Sequence, residues 1–147
     1  MKKILVLSLF ALAVISGSGC GKDSIGTKPM LSFLSYSSDP VIPANGLEVR
    51  FQVKDGDGDI ENEFWFSPMY DTAPEDTNFT SRKMPDLEAH NGTSLNAEVL
   101  LQLDPIDLSG GTGGIAKDSL HFLIYIVDNA NNISDTISTP KVEVIYQ

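Results

Sequence analysis

Asp55, Asp57 and Asp59 alternate with Gly56 and Gly58. Calcium takes six to eight oxygens at about 2.3–2.6 Å from carboxylates and carbonyls, so the backbone must curve tightly enough to bring them to one point. Carboxylates at alternate positions converge when the residues between them turn sharply, which glycine permits. Without a cation, three such carboxylates repel one another. The spacing therefore predicts a calcium loop. It is not an EF-hand, because the twelfth position counted from Asp55, where that loop needs a bidentate Glu, is Phe66. Glu61 is a nearby further oxygen donor. The plain alternative is a solvated turn in which Asp and Gly supply bend and solubility.

Other chemistry is sparse. Two histidines, His90 and His121, give little material for general acid–base work, and no Gly-x-Ser-x-Gly elbow marks a nucleophilic serine. The glycine-rich run at 110–114 lacks the Lys-Ser/Thr and helix of a phosphate-cradling loop. One cysteine, Cys20, allows neither an internal disulfide nor a cysteine-based zinc site. No enzyme is expected. Trp65 lies between Phe64 and Phe66; if the phenylalanines face inward, Trp65 faces outward, where with Tyr70 it can stack on a sugar ring or a protein partner. Two other placements stay open: Trp65 under a covering loop from residues 68–94, or Trp65 turned into the core.

These residues are positioned by strands. Helical periodicity is missing, whereas period two recurs. Leu47, Val49, Phe51 and Val53 alternate with Glu48, Arg50 and Gln52. The same alternation runs through Leu95–Leu103, 119–127 and 139–146, with weaker strands at Met30–Tyr36 and 63–67. Asp39-Pro40, Asn45-Gly46, Asn91-Gly92 and Asp104-Pro105 supply the turns. A further strand must lie within 68–94, a stretch that reads mostly as a long excursion. About seven short strands with almost no helix predict an all-β antiparallel sandwich.

Two turns carry a resemblance. The stretch Val53-Lys54-Asp55-Gly56-Asp57-Gly58-Asp59-Ile60 and the stretch Val127-Asp128-Asn129-Ala130-Asn131-Asn132-Ile133-Ser134 resemble the paired turns of immunoglobulin-like modules in secreted bacterial proteins. Asn131 replaces the usual Gly, and Asn also enters the left-handed region. The resemblance covers roughly residues 29–147 and implies an immunoglobulin-like β-sandwich. In that fold the two turns emerge at one end. It thus adds Asp128, Asn129, Asn131 and Asn132 to Asp55, Asp57 and Asp59 as metal ligands.

The leader settles the expected location. Lys2 and Lys3 precede an uncharged, largely apolar run at 4–15, too short to span a bilayer, which takes about 20 apolar residues. Ser16, Gly17, Ser18 and Gly19 lead into Cys20. This resembles a bacterial lipoprotein signal, and Lys22-Asp23 looks like the surface-export signal of Bacteroidetes lipoproteins. The resemblance implies a signal peptide at 1–19, acyl chains (palmitate among them) on Cys20, a tether at 20–28 and the sandwich at 29–147. It also implies a lipid anchor in the bacterial cell envelope, at the outer membrane and open to surface exposure. A formal charge of −10 argues against a nucleic-acid partner and gives no polybasic membrane patch. An apolar content of 41% is too high for a disordered chain. The expected function is a non-enzymatic envelope lipoprotein with a calcium-stabilised module for adhesion or assembly. The alternative is a glycan-binding accessory lipoprotein of a polysaccharide-capture system.

Overall fold

A computed structural model describes residues 26–74, 77–84, 92–109 and 116–146. The leader with Cys20, His90, Asn91 and the 110–114 run lie outside the described residues. Among the described residues no helix is long and apolar enough to cross a membrane.

Period two governs the strands. In β2 (Leu47–Asp55) Leu47, Val49, Phe51 and Val53 are buried, and Arg50 and Lys54 are exposed. β2 pairs antiparallel with β1 (Met30–Tyr36) on one side and β5 (Leu95–Leu103) on the other, forming a three-stranded sheet. A register shift between Phe33 and Ser35 in β1 keeps Leu31, Phe33 and Tyr36 against the core and turns Leu34 outward.

The second sheet centres on β3 (Glu63–Tyr70) and β6 (Lys117–Val127), paired antiparallel along eight positions from Glu63↔Val127 to Tyr70↔Leu120. β4 (Thr80–Lys83) flanks β3, while β7 (Ile137–Ser138) and β8 (Val142–Ile145) share the other edge of β6. Phe64, Phe66 and Tyr70 of β3 and Leu120, Phe122, Ile124 and Ile126 of β6 pack against Val49, Phe51, Leu101 and Leu103 of the first sheet. The fold is all-β, with two packed antiparallel sheets in the manner of a β-sandwich. After β1 the chain passes to the second sheet, where Val41 bridges Val144 in parallel.

Three departures from the sequence expectation have physical causes. The strand hidden in 68–94 is β4, a four-residue edge strand reading Thr-Ser-Arg-Lys, polar on both faces and so without alternation. β3 continues through Pro68 to Tyr70. Pro68 opposes Phe122, whose own N–H and C=O go to Thr139 Oγ1 and the Thr139 amide, so no donor is required of Pro68 there. Of the strand expected over 139–146 only Val142–Ile145 pairs, as β8, because Thr139-Pro140-Lys141 interrupts pairing and separates it from β7, which lies before the expected start.

Candidate metal centre

Alternation along β2 buries every second residue, and the last in the series is Asp55, with 0% of its surface exposed. Its carboxylate sits at the rim of the core. Asp55 Oδ2 accepts the amides of Gly58 (2.8 Å) and Asp59 (3.1 Å), which curls the loop back over its own start. Gly58 has φ +71°, a left-handed conformation that side-chain-bearing residues rarely adopt. Ile60, 1% exposed, ties the far end of the loop to the core.

This curl brings a carboxylate oxygen from each of Asp55, Asp57 and Asp59 within 4.8 Å of the others. Oxygens on opposite sides of one calcium stand about 5 Å apart, so the separation fits a common ion. Oδ1 of each aspartate is shielded from solvent and has no hydrogen-bond partner. A solvated Asp-Gly turn would present its oxygens to water; these three do not. Burying a carboxylate oxygen without a donor costs about 1–3 kcal/mol or more. The strain appears in the protonation equilibria. Burial, then the neighbouring Asp57, pushes the Asp55 carboxyl up to about 6. Burial, then the charges of Asp128 and Asp57, raises Asp59.

The second turn lies against the first. The Asn129 amide donates to Asp59 O (2.8 Å), the Ala130 amide to Asp59 Oδ2 (3.1 Å), and Asn62 Nδ2 to Asp128 O (3.1 Å). Asn131 takes φ +65°, so the left-handed residue falls where the missing glycine was expected. Asp128 is near enough for its charge to act on Asp59, but among the described residues the carboxylates whose oxygens fall within 4.8 Å of one another are those of Asp55, Asp57 and Asp59. Asp128, fully buried, spends Oδ1 on the Asn132 amide (2.7 Å) and Oδ2 on Asn132 Nδ2 (2.8 Å). Asn129 and Asn131 are exposed. The turn meets the aspartate loop through its amide donors. Glu61 lines a shallow cleft with Lys83, Met84 and Asn129.

Three contributors carry no side-chain signature in the sequence. The Gly92 amide donates to Asp57 O (2.7 Å), the Gly56 amide to Gly26 O (3.1 Å), and Asn132 Nδ2 to Thr27 O (3.2 Å). Contacts made through main-chain carbonyls depend on tertiary placement, and no residue type announces them.

The two aromatic candidates part company. Trp65 is on the outer face, half-buried, its ring stacked on Tyr125 at 5.9 Å between centroids with 5° between planes. Phe79 meets the same Tyr125 edge-on at 5.1 Å. Tyr70, five residues on, falls on the opposite face of β3. It is 3% exposed, and its hydroxyl donates to Leu108 O (2.8 Å). Tyr70 therefore has no surface to offer a ligand beside Trp65. His121 is half-buried on the outer face opposite Met69, and burial lowers its pKa.

No protein-family model matches the chain, and no curated protein matches it.

Proposed function

We propose that the chain is a non-enzymatic, immunoglobulin-like module whose aspartate loop holds a calcium ion. It serves adhesion or assembly at the bacterial cell envelope, anchored by lipid on Cys20. The observation that carries the metal reading is the set of three buried, partnerless Oδ1 atoms on Asp55, Asp57 and Asp59. All-oxygen, triply anionic coordination suits a hard cation. Because those atoms are closed to solvent, the ion acts as a structural tie between loops and not as a port for a partner.

Strand order supports the immunoglobulin-like assignment. In that family's lettering β1, β2 and β5 stand as A, B and E, while β3, β6 and the β7–β8 pair stand as C, F and G, with β4 beside C. The two polar turns follow B and F, which share one end in the family. The lipid anchor rests on the leader sequence, and the non-enzymatic reading on the scarcity of acid–base and nucleophilic groups. Glycan capture through a paired Trp65 and Tyr70 loses its second ring to the core, so no observation favours it.

Melting in calcium and in chelator tests the proposal. At a calcium concentration 100 times the dissociation constant the ion contributes about 2.7 kcal/mol. For a domain of this size that raises the midpoint by roughly 10 °C. Asp57→Asn is expected to remove most of the shift. A wild-type midpoint that is the same in both conditions sinks the metal reading.

A further inference from the structure

We propose that the ion at the aspartate loop sets the stiffness of the segment by which the chain enters the sandwich, residues 26–29. This rests on the calcium reading above and extends it.

The entry segment is clasped by both polar turns. Gly26 O accepts the amide of Gly56, which lies between the first two aspartates of the loop. Thr27 O accepts Asn132 Nδ2, and that same nitrogen also holds Asp128 Oδ2 at 2.8 Å. Lys28 Nζ pairs with Asp135 Oδ1 at 2.6 Å, with side chains 53% and 91% exposed. A pair this exposed contributes little. Pro29 is buried, and pairing with β2 begins one residue later at Met30↔Lys54.

Gly26, Thr27 and Lys28 are themselves exposed. Their attachment therefore runs chiefly through two carbonyls, and the donors of both belong to the turns that meet at the aspartate cluster. Segments with few buried contacts open locally at low cost. With no cation, the crowded carboxylates work against the curl that presents the Gly56 amide and against the contact that seats the second turn. A cation at the cluster stabilises both turns in the one arrangement in which they clasp residues 26 and 27. Stabilising the turns stabilises the clasp, and by linkage the clasp must strengthen ion binding by the same factor.

The test uses the full chain labelled with 15N, in saturating calcium and in chelator, with a calcium titration on the same sample. The expected result is that order parameters of the Thr27 and Lys28 amides rise from below about 0.6 in chelator to about 0.85 in calcium. Reciprocity supplies a second measurement. A chain truncated to begin at Lys28 is expected to bind calcium at least about five-fold more weakly than the full chain. If calcium binds and both amides keep the same order parameter in the two conditions, the clasp is overturned while the metal site stands. If the titration shows no calcium binding by the wild-type chain, the metal reading itself falls and takes the clasp with it. Should the truncated chain not fold, the relaxation data on the full chain decide the matter alone.

Discussion

At the scale of single residues, the proposed calcium site predicts opposite behaviour of the aspartate cluster with and without an ion. Asp57 raises the proton affinity of both Asp55 and Asp59, so its charge opposes the folded state when no cation is bound. Asp57→Asn in chelator is therefore expected to raise the melting midpoint by a few degrees, the reverse of its effect in calcium. The pH dependence follows from the same groups. Asp55 has its folded pKa raised from 3.8 to about 6, so its contribution to stability is fully present below the unfolded value and is lost as pH rises through about 6. Asp59 acts in the same direction. Calcium requires the ionised carboxylates, so protons compete with it. The midpoint difference between calcium and chelator is expected to be largest near pH 7 and to vanish by about pH 5. His121, its pKa lowered by burial from 6.5, loses its contribution as pH falls, but it does so in both conditions and cancels from the difference. A calcium shift that is flat across this range would count against the carboxylates as ligands. The three aspartates were legible from their spacing. That Asp55 is fully buried follows from continuing the alternation of β2 by one step.

At the scale of elements, the broken edge beside β6 is completed by hydroxyl groups. The Phe122 amide donates to Thr139 Oγ1 at 2.8 Å and the Ile126 amide to Ser134 Oγ at 3.0 Å, standing in for strand partners that β7 and β8 do not supply. Thr139 Oγ1 also meets the hydroxyl of Tyr36 from the opposite sheet at 2.5 Å. Thr139→Val keeps the shape and strands a buried amide, at an expected cost of about 1–3 kcal/mol in urea unfolding, with Thr139→Ser costing less. Gly46 closes the short 3-10 turn Pro43–Asn45 with φ +72°, and a Cβ there would lie 2.7 Å from Leu103 O. Gly46→Ala is expected to lose about 2 kcal/mol by the same measurement. The Asn45-Gly46 signal was plain in the sequence, since that turn requires a left-handed residue. β4 was not, because a short polar edge strand buries no face and so leaves no pattern. Nor was β7, because two residues are too few to show an alternation.

At the scale of the whole molecule, charge and topology set the behaviour. Among the described residues six ion pairs are formed, and every partner except Asp107 is exposed. Such pairs contribute about 0–1 kcal/mol each, while a net charge of −10 repels itself. Raising sodium chloride from about 0.05 to 0.5 M in chelator is therefore expected to raise the midpoint slightly, because screening relieves more repulsion than it removes attraction. A marked fall would show the surface pairs to be stronger than their exposure implies. Topology brings residues 55–59 and 128–132 together at one tip, joining the ends of β2 and β6 from different sheets. On the calcium proposal, an ion held there would tie the two sheets together.

The sequence alone determined the strands with strong alternation, the turns built on Gly and Asn, and the acidic loop, because each is encoded within a few neighbouring residues. The tertiary structure alone decided which oxygens lack donors, that Asp128 is satisfied by Asn132, that Tyr70 turns away from Trp65, and that Gly26 and Thr27 are held by the loops. Those facts depend on backbone groups and faces brought together across the fold, where solvent exclusion and hydrogen-bond supply are set by distant residues.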